Sequence, residues 1–182
     1  VITKMAKKAK SGMLSSWLMG IVIFFDDYAN TLIIGNMMRP ITDKLKISRE
    51  KLSYIVDSTA APIASLVIIS TWIGYELGLI EEGLRAINST RSAYDVFLST
   101  IPYRFYPIAA IFFVFLTSFT GRDFGPMYKA EVRARTKGQL IDPNSEVSGL
   151  EEDDDSFYRG SKAKFINGAV PILIILFGTI AG

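Results

Sequence analysis

The sequence predicts an all-α membrane protein made of transmembrane helices, with one re-entrant hairpin and one broken helix. Three observations predict this class. Apolar residues gather in long blocks along the 182 residues instead of being spread as in a soluble core. Basic residues cluster beside those blocks, and polar residues interrupt two of them. A helix needs roughly 20 mostly apolar residues to cross a bilayer, and the blocks meet this length unevenly.

The first block, at about residues 12–38, is the predicted re-entrant hairpin. Its two apolar halves, 13–25 and 28–38, are each too short to cross the membrane, so a fold at Asp26 and Asp27 suits the block better than one straight span. Basic residues precede and follow the block. By the positive-inside rule, both ends of the hairpin, and with them the N-terminus, are expected in the cytoplasm.

The remaining chain alternates between apolar and charged segments. An amphipathic connector at 39–56 is expected to have Ser48 as a helix cap and to lie along the membrane surface. A spanning helix at 57–80 is expected to break at Pro62, because proline removes a backbone donor and disfavours helix at the preceding residue. The segments that follow are an outer loop at 81–101, a spanning helix at 102–120, a cytoplasmic loop at 121–167 and the start of a spanning helix at 168–182. Because the last apolar block is short, the sequence is expected to be a fragment of one incomplete domain.

Composition excludes several kinds of chemistry. The chain has no cysteine and no histidine, so thiolate metal sites, disulfides and imidazole proton shuttles are excluded and proton chemistry falls on carboxylates, Lys or Tyr. The net charge of +2 is small for a nucleic-acid binder. No cofactor is expected. The expected partners are the lipid bilayer, the remaining transmembrane segments of the same protein and, as one alternative, a second copy in a homodimer.

Asp26 and Asp27 are the strongest functional signal, because an ionisable residue in hydrocarbon is costly. Neighbouring helical residues point about 100° apart, so one acid is expected to bind an ion and the other to support it. The alternative is that they cap a helix end or pair with a basic residue elsewhere. The other predicted ion ligands, all bearing the oxygens that sodium prefers, are Asn30, Thr31, Asn36, Asp57, Ser58 and Thr59. Sodium itself is expected at Asp26, Asp27, Asn30 and Thr59.

Several of these polar residues also have a plain structural interpretation. For Asn30, Asn36, Ser58 and Thr59 it is interhelical hydrogen bonding. Asp57 is equally well explained as an interfacial helix cap. Glu76, four residues after Trp72, is interpreted as a carboxylate that reaches water at the outer interface, and Arg104 as a side chain that extends to the same interface.

Short motifs occur in a fixed order along residues 10–119. They are FFDDYANT at 24–31, GN at 35–36, MRPITD at 38–43, DSTAAP at 57–62 and STWIGYELG at 70–78. Together they resemble the NhaC-type sodium/proton antiporter family of the ion transporter superfamily, as a C-terminal-type fragment. The resemblance implies inverted repeats, each with a re-entrant hairpin and an unwound helix, whose tips meet at a cation site. Asn30 and Thr31 in one segment, and Ser58 and Thr59 in the other, match those tips.

The resemblance implies a secondary active transporter in a bacterial-type cell membrane, not an enzyme. The leading hypothesis is Na+/H+ antiport, in which Asp26 or Asp27 binds either a proton or sodium. An alternative is a Na+- or H+-coupled exchanger of a small organic acid or amino acid, with Asn36 or Thr59 touching the organic anion. More distant alternatives are a non-transporting membrane scaffold and an intramembrane aspartyl protease, which would need its two carboxylates on different segments.

Overall fold

The structure, a computed structural model, describes residues 8–145 and residues 170, 174, 177 and 178. Regular structure in 8–145 is entirely helical, which confirms the predicted all-α class for this part of the chain. The helices are α1 Ala9–Val22, α2 Asp27–Lys44, α3 Arg49–Leu66, α4 Ile73–Ala86, α5 Ala93–Thr100, α6 Phe105–Thr120 and α7 Gly125–Lys137, with a 3-10 turn at Ile101–Tyr103. Most of the predicted segments beyond 145, including the start of a spanning helix at 168–182, lie outside the described residues.

Helix α3 is the centre of the bundle and packs against α1, α2, α6 and α7. A core of Met13, Ile47, Ile55 and Val114 joins α1, α3 and α6. By contrast, the outer faces of α2 and α6 are rich in exposed apolar side chains, which are suited to lipid or to other protein segments. Helices α4 and α5 pack against each other.

One helical stretch among the described residues, Phe105–Lys137, is long and apolar enough to cross a membrane by length and composition. It contains α6 and α7, which meet at Gly121. Gly121 has a φ of 64°, in the left-handed region that favours glycine. The apolar part of this stretch is therefore α6, close to the predicted span at 102–120.

The segment predicted as a re-entrant hairpin forms two helices, α1 and α2, that pack against each other on either side of a short turn at 23–26. Asp26 has an extended backbone and ends the turn as the N-cap of α2. Its Oδ1 accepts a hydrogen bond from the Ala29 amide at 2.7 Å, which satisfies one of the donors left open at the start of a helix. The chain therefore turns at the acidic pair, as the sequence predicted.

The predicted break at Pro62 is wrong. Helix α3 runs through Pro62 to Leu66, and the chain becomes irregular only at 67–72. The Pro62 side chain is buried on a helix that is packed on several sides. Packing of this kind offsets the local cost of an internal proline, which is about 3 kcal/mol.

The predicted connector at 39–56 is also wrong as a separate element, because α2 continues to Lys44 and α3 starts at Arg49. The predicted cap is confirmed, since Ser48 accepts a hydrogen bond from the Lys51 amide at 3.2 Å. Asp57 lies inside α3, so its interpretation as a helix cap is wrong. The segments predicted as loops at 81–101 and 121–167 contain the helices α5 and α7.

Candidate functional site

Two irregular segments of the chain meet beside the bundle. The turn at 23–26 joins α1 to α2, and the break at 67–72 joins α3 to α4. The Thr71 amide donates to the Phe25 carbonyl at 2.9 Å, and its hydroxyl donates to Asp26 Oδ2 at 2.9 Å. The Trp72 indole donates to Asp27 Oδ1 at 3.0 Å. These three bonds tie the two segments together.

The two adjacent acids have different surroundings. Asp26 uses one oxygen for the Ala29 amide and the other for the Thr71 hydroxyl, so it caps a helix, as the structural alternative predicted. Asp27 is the first residue of α2 and accepts the Trp72 bond through Oδ1. Its second oxygen accepts no hydrogen bond from the described residues. Of the two carboxylates, Asp27 therefore accepts fewer hydrogen bonds and has more acceptor capacity left for an ion.

Asp27 lines a cavity of about 250 Å³, together with Ala61 and Ser65 of α3, Trp72 of the break and Glu76 of α4. The cavity therefore lies where the start of α2 meets the break at 67–72. The lining has a carboxylate on each of two helices, a hydroxyl and an indole. This set of oxygens can accept a cation or a proton.

An ion pair closes one side of this cavity. The Arg104 guanidinium lies 2.5 Å from Glu76 Oε2 and donates to the Ser65 carbonyl, also at 2.5 Å. The Arg104 and Glu76 side chains are 19% and 31% exposed, so the pair is shielded from solvent to a large degree. Arg104 also lies 4.9 Å from the centre of the Phe97 ring, which adds a cation–π contact.

The charges around the cavity do not cancel. Asp27 and Glu76 contribute two negative charges, and Arg104 contributes one positive charge. Because Arg104 is bound to Glu76, Asp27 has no basic partner among the described residues, and neither has the neighbouring Asp26. A cation or a proton on Asp27 would neutralise that carboxylate.

Sequence reasoning missed the functional interest of Glu76 and Arg104. Both were interpreted as side chains that reach the outer interface separately, whereas the fold pairs them. The two residues are 28 positions apart, and no local motif indicates that they meet. Their pairing depends on how α4 and α5 fold back toward the start of α6.

Asn30 lies in a second polar cluster, between α1, α2 and α3. Its Nδ2 donates to the carbonyls of Gly20 at 2.7 Å and Ile23 at 2.6 Å, so it holds the end of α1 where the helix stops. Two carbonyl partners fix the orientation of the amide, because only the NH2 group can donate. Asn30 is fully buried, and its Oδ1 has no hydrogen-bond partner.

Thr59 reaches the same cluster from α3. A Cβ placed on Gly20 would lie 3.0 Å from the Thr59 Cβ, so the two helices touch at this glycine. Asn30 and Thr59 thus both lie against Gly20, and neither lines the cavity at Asp27. The Thr59 hydroxyl itself donates to the Ile55 carbonyl at 2.7 Å, which is ordinary helical bonding.

The other predicted ligands do not line the cavity. Thr31 is exposed and bonds to the Asp27 carbonyl, Asn36 and Asp57 are exposed, and Ser58 is half-buried. Asn36 is nine residues after Asp27, which on a helix places it on about the opposite face. Among the described residues, no group of three or more Asp, Glu, His or Cys side chains is placed to hold a metal ion. A mixed set of oxygens is the arrangement that the described part of the chain offers.

The chain is similar in sequence to known proteins. The Na+/H+ antiporter family matches residues 63–182, a region that includes Glu76 and Arg104 and starts after Asp27. An uncharacterized protein of Haemophilus influenzae is 34% identical over 161 residues, which are 88% of this chain and 28% of that protein. The chain thus spans 28% of the length of this relative. No solved structure matches the chain. By the extent of the family match, the chain belongs to the Na+/H+ antiporter family.

Proposed function

We propose that this chain forms part of a secondary transporter that exchanges Na+ for H+, and that Asp27 is the carboxylate to which the two ions bind in competition. The observation that carries the proposal is the Asp27 carboxylate, which lines the cavity and has no basic partner among the described residues. A cation or a proton would neutralise it. Membership of the Na+/H+ antiporter family supports the same pair of ions.

The irregular segments supply the rest of the proposed site. Many transporters hold ions where helices are discontinuous, because helix ends carry partial charges and unwound backbone offers carbonyl oxygens. The turn at 23–26 and the break at 67–72 meet in this way. In the proposed site, the Ser65 hydroxyl and the free oxygen of Asp27 bind Na+, while Asp26 and Trp72 hold Asp27 in position.

We also propose how the chain lies in the membrane. The turn at 23–26 is the tip of a re-entrant hairpin inside the bilayer, the start of α1 and the segment 121–167 are cytoplasmic, and α6 crosses the membrane. The basic residues flanking these segments support this orientation. The remaining transmembrane segments of the same protein would supply an inverted repeat, and the NhaC-type motifs identify the subtype we propose.

The test uses the full-length protein in everted membrane vesicles, with a pH-sensitive dye that reports Na+-driven proton movement. Asp27→Asn is expected to reduce the dye response to background, because the amide can neither release a proton nor neutralise Na+. Asp26→Asn is the matched control. Asparagine caps a helix as well as aspartate does, so this variant is expected to keep exchange.

A second control is Asp95→Asn, which removes an exposed carboxylate in the first turn of α5. It is expected to exchange like the unmodified protein. Full exchange by Asp27→Asn would refute the assignment of Asp27. Equal loss in Asp26→Asn and Asp27→Asn would show that the turn, and not one carboxylate, is required.

A second candidate function is Na+- or H+-coupled exchange of a small organic acid or amino acid. The observation in its favour is that the cavity of about 250 Å³ is large enough for such a molecule and that a guanidinium, Arg104, lies at its edge. Uptake of labelled organic acids driven by a Na+ gradient distinguishes the two functions. Pure cation exchange predicts proton movement without any organic substrate.

A further inference from the structure

Helix α7 has an apolar stripe on its outer face. Phe124, Tyr128 and Val132 are spaced four residues apart and are 65%, 56% and 38% exposed. Residues at this spacing lie on one side of a helix. The opposite side, which includes the buried Ala130 and Ala134, packs toward α3. The stripe is therefore a surface that the described part of the protein does not cover.

This stripe continues the outer surface of α6. The Phe124 and Phe113 rings meet edge to face with their centres 5.9 Å apart. Phe112, Phe113 and Phe119 of α6 are exposed as well, and α6 is the apolar part of the stretch able to cross a membrane. A lipid-facing surface that starts on α6 would thus extend without a gap onto the beginning of α7.

Along α7 and the turn before it, the acidic side chains are buried and several of the basic side chains are exposed. Its acidic neighbours are buried and already have partners, since Asp123 pairs with Lys51 at 2.5 Å and Glu131 accepts from Ser48 and Arg135. The basic side chains of Arg122 and Lys129 are exposed, with no acidic partner among the described residues. The outer face is consequently apolar in the middle and positive at its edges.

A cavity of about 260 Å³ lies beside the stripe. Its lining includes Arg122, Tyr128 and Val132, the ion pair of Arg135 with Glu131, and Asp123, which pairs with Lys51. Because both carboxylates have basic partners, Arg122 is the lining cation with no acidic partner among the described residues, and a phosphate-bearing head group would supply one. A neighbouring protein helix that covered the same apolar stripe would have to supply anions for the edge cations, which anionic head groups provide directly.

We propose that α7 is an interfacial helix that binds anionic phospholipid. Phe124, Tyr128 and Val132 lie in the acyl boundary, and Arg122 and Lys129 contact head-group phosphates. Basic helices with an apolar face can lie in the plane of the membrane interface, and anionic lipid strengthens their binding. This inference is independent of the identity of the transported ion.

The experiment uses the full-length protein with a single cysteine at Tyr128 or at Lys137, each labelled with a polarity-sensitive fluorophore. The 182 residues contain no native cysteine, so neither label competes with another thiol of this chain. The protein is reconstituted in mixed vesicles in which either phosphatidylglycerol or phosphatidylcholine carries brominated, quenching chains. Tyr128→Cys reports the stripe, and Lys137→Cys, at the exposed polar end of α7, is the control.

The label at position 128 is expected to be quenched. From the quenching, the association of phosphatidylglycerol with this site relative to phosphatidylcholine should be about fivefold higher for each cation that contacts a head group. Arg122→Gln combined with Lys129→Gln should bring this preference close to unity while quenching remains. The control label at 137 should be quenched little. If neither lipid quenches the label at 128, protein covers the stripe. If the two lipids quench it equally in the protein that keeps Arg122 and Lys129, no head group is recognised. Either result overturns the proposal.

Discussion

Lys51→Met is expected to destabilise the protein by about 3–5 kcal/mol, because it leaves the Asp123 carboxylate buried without its partner. The Lys51 ammonium lies 2.5 Å from Asp123 Oδ1, and the two side chains are 0% and 5% exposed. Lys51 also lies 5.3 Å from the centre of the Tyr54 ring. The pair joins the start of α3 to the turn between α6 and α7, so its loss is expected to loosen the contact between these elements.

The double variant Lys51→Met with Asp123→Leu separates the pair from its parts. Replacing both members of a buried ion pair with apolar residues is often neutral or stabilising, so the double variant is expected to recover most of the loss. The chain offers an exposed pair of nearly the same length as a control. Arg85 lies 2.6 Å from Glu81, with side chains 78% and 56% exposed, and Arg85→Gln is expected to change stability by about 0.5 kcal/mol or less.

The measurement is the free energy of unfolding of the purified full-length protein in mixed micelles, titrated with a denaturing detergent. A loss for Lys51→Met no larger than that for Arg85→Gln would refute the reasoning, because burial would then add nothing to the pair. A double variant as unstable as Lys51→Met alone would show that Lys51 stabilises the protein through contacts other than Asp123.

Three further predictions concern the site. Gly20→Ala should lower the unfolding free energy by about 1–2 kcal/mol, because the added methyl group would clash with Thr59. Gly35→Ala is the control and should raise the unfolding free energy by about 0.5–1 kcal/mol, because a Cβ there meets no described atom within 4 Å. Equal effects of the two variants in the same detergent titration would contradict the close approach of Gly20 and Thr59. Asn30→Ala should cost about 2–3 kcal/mol by leaving two buried carbonyls unpaired, and a change below 1 kcal/mol (roughly one ordinary hydrogen bond) would contradict this. In the proposed mechanism, a proton and Na+ compete for one carboxylate. The half-saturating Na+ concentration for exchange should therefore rise as pH falls, by up to about tenfold per pH unit. A half-saturating concentration that does not change with pH in vesicle assays would exclude this competition.

Local features of this fold could be predicted from the sequence. The turn at 23–26 follows from two short apolar halves around an acidic pair, and the Ser48 cap follows from its position just before a run of helix formers. Asp26 and Ser48 act within three residues of their own positions. Short-range effects of this kind can be recognised without knowing what packs nearby.

Long-range features could not be predicted in the same way. Pro62 is a helix breaker by its local chemistry, and only the packing around α3 explains why the helix continues. Glu76 pairs with Arg104, which is 28 residues later in the sequence, so its place in the site depends on the tertiary fold. The apolar stripe of α7 was hidden in a segment whose many charges suggested a loop, since the pairing that neutralises Asp123 and Glu131 depends on α3 and its cap.

The Asp27 carboxylate, which has no basic partner among the described residues, gives a physical reason why such a site would exchange two ions instead of transporting a single ion in one direction. On the proposed assignment, Asp27 in the empty site is a carboxylate without a counter-ion, and moving that charge past an apolar barrier would be costly in a low-dielectric surrounding. Either Na+ or H+ on Asp27 removes that charge, so both occupied forms can change conformation at low cost. The Trp72 bond to Asp27 and the Arg104 bonds to Glu76 and Ser65 connect this one charge to α2, α3, α4 and α6. In the proposed mechanism, an ion at Asp27 would change the contacts of these helices, and it would shift their conformational equilibrium if it bound one conformation more tightly than the other.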